Sequence, residues 1–177
     1  MRPETLLSSR RIHVGRVVSL RVDEVRLPGG GTARREVVDH PGAAVIVPLT
    51  DGGEILMVRQ YRYAVGEFLL ELPAGTLEPG EGPLACARRE LAEEVGAAAA
   101  HWEPLAVLYP SPGVLTEVMH LFLARGLTEG PPSGTEEETL AVERLPLLEA
   151  LERVRRGEIR DAKSVTGLLL TAERTRR

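Results

Sequence analysis

The sequence predicts an α+β protein built on a mixed sheet with helices on its faces. Strand-like segments outnumber helical ones, the two kinds do not alternate regularly, and only three stretches read as helix. A length of 177 residues with 43% hydrophobic content suits a single chain fold whose core needs no staple.

The elements follow in order. Residues 12–28 alternate well enough for strands, with Val14, Val17, Val18, Leu20, Val22 and Val25 as the apolar members. Pro28-Gly29-Gly30-Gly31 breaks the run, and Thr32–Val38 resumes an extended pattern, so residues 1–41 read as a β-hairpin region. Residues 42–177 form the main body. There Ala43–Pro48, Ile55–Gln60 and Phe68–Leu72 are short apolar runs bounded by Gly, Pro or charge, which suits buried strands. Pro83–Val95 is the clearest helix. Pro83 suits the first helical position, Leu84, Ala87, Leu91 and Val95 form one stripe, and Gly96 provides a stop. Strands are expected at Trp102–Tyr109, Val118–Ala124 and Leu140–Arg144, a loop at Thr128–Thr135, and helices at Leu147–Arg156 and Ala162–Arg174.

Composition excludes several classes. One cysteine, Cys86, cannot close an intrachain disulfide, and four scattered histidines do not make a structural zinc site. No apolar run approaches the roughly 20 residues of a membrane span, and the start lacks a signal-peptide core, so a soluble cytoplasmic protein is expected, with no membrane partner. The net charge of −4 argues against a nucleic-acid partner. Of the 22 basic residues, 21 are Arg and only Lys163 is Lys. That pattern reads as a GC-rich coding bias.

The chemistry gathers in Gly75–Ala97, GTLEPGEGPLACARRELAEEVGA. On the expected helix Glu90 and Glu94 stand four apart on one face, with Glu93 beside them. Packing carboxylates together raises their pKa values or requires a cation between them, and an all-oxygen set selects a hard divalent ion. Arg89, four residues before Glu93, can pair with it. Glu81 precedes the helix, where the positive end of the dipole favours an anion.

Gly75, five residues, Glu81, seven residues, then Arg89-Glu90-Leu91-Ala92-Glu93-Glu94-Val95-Gly96 resembles the Nudix box, GX5EX7REUXEEXGU, departing only at Ala97. The resemblance implies a Nudix fold, an α/β/α sandwich around a mixed sheet, and a metal-dependent hydrolase of nucleoside diphosphates linked to a further group. It assigns Glu90, Glu94 and the Ala74 carbonyl to Mg²⁺ or Mn²⁺, two or three ions per site. It gives Glu93 a role as ligand or base, and Arg89 the task of orienting the glutamates.

Segments outside the box resemble the ADP-ribose pyrophosphatase branch: Arg35–Pro48, Val58–Tyr63, Glu71–Gly75 and Ser111–Glu117, with Pro112 fifteen residues past the box. In that light Arg35, Arg59 and Arg62 are candidate forked donors to phosphate. Tyr61 is a candidate wall for adenine, Ser111-Pro112-Gly113 a substrate turn, and Glu117 an acceptor for a ribose hydroxyl. Glu136 and Glu138, after a Gly/Pro loop, are candidates for activating water. The same resemblance implies a homodimer through the N-terminal region. Three alternatives stay open: another nucleotide substrate, a sensing module that does not cut, and an RNA 5′-end pyrophosphatase.

Overall fold

A computed structural model describes residues 2–131 and 141–175. Its chain falls into two compact units: residues 1–42 with 109–118, and residues 43–108 with 119–177.

The first unit is a three-stranded antiparallel sheet in the order β1-β2-β3, from β1 (Thr5–Val14), β2 (Ser19–Arg26) and β3 (Thr32–Asp39). The first strand begins seven residues before the expected start at residue 12. Every residue of β1 is exposed, so no buried face marks its beginning in the sequence. The segment 109–118 joins this unit because Val38 forms a parallel bridge to Leu115, with Val38 N–H donating to Val114 O at 2.8 Å. Thr116 N–H returns a bond to Val38 O at 3.0 Å.

The second unit carries the core. Its strands are β4 (Ala43–Pro48), β5 (Glu54–Arg62), β6 (Glu67–Glu71), β7 (Ala74–Thr76), β8 (Ala97–Leu108), β9 (Met119–Glu129) and β10 (Ala141–Pro146). They form a mixed sheet ordered β7-β4-β9-β8, in which β4 and β9 run parallel, and an antiparallel sheet ordered β10-β5-β6. The helices are α1 (Pro83–Glu90), continued by a π-helical turn over Leu91–Val95, α2 (Leu147–Arg155) and α3 (Ala162–Thr175).

All six residues of β4 are buried, which explains its continuous apolar run: both of its faces are covered. Val45 and Val47 join Ile55, Met57, Leu121 and Leu168 in one core cluster, which takes in α2 and α3. Ala44 and Ile46 join Leu56, Phe122, Ala87 and Leu91 in a second cluster, which takes in α1. Strand alternation thus feeds two helical layers, and the expected sandwich results. Close packing sets Gly167 of α3, where a Cβ would lie 2.6 Å from Leu72 Cδ1.

Two local departures matter. The expected single helix Pro83–Val95 changes to π geometry after Glu90, and Gly96 closes it with φ 71°. Strand β8 starts at Ala97, five residues earlier than expected, because pairing of Ala97 with Glu129 and Ala98 with Thr128 overrides the weak strand preference of an alanine tract. Its Pro104 is tolerated on an edge strand next to a register shift.

Candidate metal and catalytic site

The site is built where β7 meets the end of α1. Antiparallel pairing sets Val45 opposite Ala74 and Ala44 opposite Gly75, and Ile46 N–H donates to Pro73 O at 2.9 Å. The Ala74 N–H in turn donates to Glu94 Oε2 at 3.0 Å. Glu90 and Glu94 are both buried, at 9% and 6% exposure. Glu93, on the π turn, keeps a side chain 39% exposed.

Arg89 is the hub. Its Nε and Nη2 donate to the two oxygens of Glu81, each at 3.0 Å. Its Nη1 donates to Glu90 Oε1 and to Glu93 Oε2, the latter at 3.0 Å, and Nη2 also reaches Thr76 O at 3.2 Å. The expected Arg89–Glu93 contact is therefore present. Glu81 turns back on Arg89 and accepts from the Glu78 N–H at 3.0 Å, while Gly82, at the N-cap of α1, offers no side-chain cap. The Arg89 guanidinium beside it holds the Glu81 carboxyl down at about 2, and the same bonds raise Arg89 above its ordinary value. Under this hub, the fully buried Cys86 thiol donates to Gly75 O at 3.5 Å, and burial pushes it up to about 12.

Three carboxylates, from Glu81, Glu90 and Glu93, meet one guanidinium, and Glu94 stands beside them on the Ala74 N–H, so this cluster carries an excess of negative charge. Such a set suits a hard divalent cation. In the arrangement described, the carboxylates turn onto Arg89 and the Ala74 N–H. Among the described residues, no three acidic, His or Cys side chains converge as a bound ion would require. The donor chemistry and charge fit a divalent ion.

The remaining candidates of this unit lie on β5. Arg59 donates to Glu143 of β10. Arg62 grips Glu71 bidentately, Nε at 2.8 Å and Nη2 at 2.7 Å, and lies within electrostatic reach of Glu94. Tyr61, half exposed, meets Phe68 edge-on with ring centroids 5.3 Å apart.

In the first unit, Arg35 Nε donates to Glu4 Oε2 at 3.0 Å. Ser111, Pro112 and Gly113 form an exposed turn closed by Leu115 N–H on Ser111 O at 2.9 Å. Glu117 Oε1 stands 3.8 Å from His40 Nδ1, which accepts the Gly42 N–H at 3.0 Å. Glu136 and Glu138 lie outside the described residues.

Sequence reasoning assigned no role to Glu71, Lys163 or His40. An acid closing the otherwise apolar run FLLE, and a single lysine among arginines, were the available signals.

A model of the NUDIX domain matches residues 39–166, and one of the nucleoside diphosphate sugar hydrolase N-terminal domain matches residues 4–38. The chain is 45% identical over 166 residues to the ADP-ribose pyrophosphatase of Mycobacterium tuberculosis, covering 92% of this chain and 80% of that one. It is 41% identical over 164 residues to the methanol dehydrogenase activator of Bacillus methanolicus, covering 92% and 89%. A crystal structure of an ADP compounds hydrolase superposes with a TM-score of 0.88 at 24% identity over 99% of this chain and 96% of the other, a likeness of fold. With the box residues in place and the domain model spanning most of its length, the chain belongs to the Nudix family.

Proposed function

We propose that this chain hydrolyses the pyrophosphate of ADP-ribose, with water, to AMP and ribose 5-phosphate. One observation carries the reading: Glu90, Glu93 and Glu94 are all present around Arg89 and Ala74, in a chain 45% identical to an ADP-ribose pyrophosphatase.

Members of this family generally depend on a divalent metal. The cofactor assigned here is Mg²⁺ or Mn²⁺, two or three ions, held by Glu90, Glu94, Glu93 and the Ala74 carbonyl; such ions supply charge neutralisation and a more acidic water. Glu93, the most exposed of the box glutamates that Arg89 contacts, takes the proton from the attacking water as a P–O bond of the diphosphate breaks. Arg89 holds Glu93 and Glu90 ready. Arg62, Arg59 and Arg35 present forked donors to phosphate oxygens. Tyr61 offers a face to adenine, Glu117 accepts a ribose hydroxyl, and Ser111, Pro112 and Gly113 shape the turn beside it. Glu136 and Glu138 are the alternative bases.

The enzyme is assigned to the cytoplasm, where an unpaired thiol is at home, and to a homodimer formed through residues 1–41. The exposed Leu6, Leu7, Ile12 and Val14 of β1 support such pairing.

Product analysis with Mg²⁺ tests the chemistry. ADP-ribose should give AMP and ribose 5-phosphate, ADP-glucose and diadenosine polyphosphates should react slowly, and EDTA should stop turnover. Faster cleavage of ADP-glucose would favour the second reading, a nucleotide-sugar hydrolase, which the match of residues 4–38 supports. Light scattering at micromolar concentration should show a dimer; a monomer would reject that assignment.

A further inference from the structure

Lys163 is the single lysine of a chain with 22 basic residues, and it is not a surface residue: its side chain is 10% exposed. Its ammonium donates to Glu71 Oε2 and, at 2.9 Å, to Asp161 Oδ1. Glu71 is 1% exposed and accepts both Nε and Nη2 of Arg62. Asp161, Lys163, Glu71 and Arg62 thus alternate in charge, and the chain of contacts ends at Arg62, whose side chain is 42% exposed.

The first turn of α3 is tied to the end of β6 a second time. Leu72 N–H donates to the fully buried Ser164 Oγ at 2.7 Å, and Ser164 N–H donates to Asp161 Oδ1 at 3.0 Å. Two residues beyond Leu72 stands Ala74, bonded to Glu94. The contacts made by Lys163 therefore reach both the strand leading into the box and, through Glu71, an arginine of β5 within electrostatic reach of Glu94.

Buried as it is, Glu71 holds its charge through paired, hydrogen-bonded partners, and Lys163 supplies one beside Arg62. A compact ammonium can sit between two carboxylates, whereas a planar guanidinium asks for a wider, fork-shaped space. Arg62 spends one edge of its guanidinium, Nε and Nη2, on Glu71, which leaves Nη1 for a second acceptor.

We propose that Lys163 is a positioning residue for diphosphate recognition: by holding Glu71 it sets the direction in which Arg62 presents its free edge to substrate. This rests on the reading that Arg62 contacts the diphosphate of ADP-ribose. Removing Lys163 leaves Glu71 with Arg62 alone, so the guanidinium is drawn inward and the substrate loses a preset donor.

A double-mutant cycle tests the idea. Arg62→Ala, Lys163→Met and the double variant are assayed with ADP-ribose and Mg²⁺, with kcat and KM resolved separately. Each single change should raise KM by about tenfold with kcat altered far less, since a preset ground-state contact is lost. The double variant should bind no worse than Arg62→Ala. A lysine that merely holds the fold would act in both backgrounds, so independent, multiplying effects would overturn the proposal. A wild-type KM in Lys163→Met would overturn it as well. A wild-type KM in Arg62→Ala would instead reject the reading of Arg62, and the proposal with it. If Lys163→Met does not fold, Lys163→Arg carries the cycle: a raised KM that vanishes beside Arg62→Ala supports the proposal, and a wild-type KM overturns it.

Discussion

The carboxylate of Glu90 fills the place that a side chain on residue 75 would need. A Cβ built on Gly75 would lie 1.7 Å from Glu90 Oε1 and 2.5 Å from its Cγ. The glycine that opens the box is thus required by the close approach of strand β7 to the last residue of α1, two elements joined by the loop that carries Glu81.

Gly75→Ala follows directly. The clashing atoms belong to the outer part of a flexible side chain, so the fold can yield by moving Glu90. Overpacking of this kind costs about 1–3 kcal/mol. The displaced carboxylate is a proposed metal ligand, however, and turnover should fall by roughly a hundredfold or more, as when a preorganised charge is lost. Thermal melts and kcat, measured together, should show a small loss of stability beside a large loss of rate. Near-wild-type turnover would mean that Glu90 does not need this place.

Glu94→Gln separates charge from shape. Glu94 Oε2 accepts the Ala74 N–H at 3.0 Å, and a glutamine carbonyl can accept the same bond. The fold should therefore stay nearly intact. Turnover should drop by about a hundredfold or more, because the substituted amide no longer offers an anionic oxygen to a hard cation. Retained turnover at saturating Mg²⁺ would sink the metal assignment.

These two sites differ in how far the sequence announces them. Glu90, Glu93 and Glu94 share a helix with Arg89, so three- and four-residue spacing foretells their meeting. The Arg89–Glu81 pair depends on a loop folding back over eight residues, and the Lys163–Glu71 contact spans 92 residues, beyond any local pattern. The same holds for the fold. Strand β4 is legible because both its faces are buried, whereas β1 is exposed throughout and β7 is only three residues long. The π turn after Glu90 leaves no mark on the apolar stripe, since Leu91 and Val95 are buried in either geometry.

Acid stability should report on two depressed carboxyls. Burial alone would raise Glu71, yet Arg62 and Lys163 outweigh it and the net displacement is downward from 4.5. Glu81, held by Arg89, falls from 4.5 to about 2. Folded values below unfolded ones mean that this stabilisation is complete above pH 4.5 and fades as the pH falls through the folded values. Denaturant unfolding between pH 6 and pH 2, run on the wild type and on Glu71→Gln, should show a steeper acid loss in the wild type. Equal slopes would show that Glu71 is not linked to folding in this way.

Cys86 reports at the opposite end of the pH range. It is fully buried beneath Arg89, and burial first, then the charge of Glu81, raises its thiol from 9.0 to about 12. The nucleophile in thiol chemistry is the thiolate, so the native protein should react with an alkylating reagent far more slowly than the unfolded chain. A folded value above the unfolded one stabilises the native state below pH 9, and that contribution is lost as the pH rises towards 12. Cys86→Ser should therefore lose less stability than the wild type between pH 8 and pH 11. Trapping the thiol by mass spectrometry across that range, with and without denaturant, measures the first expectation directly. Rapid labelling of the native protein at pH 8 would mean that the floor of the box opens often enough to expose its thiol.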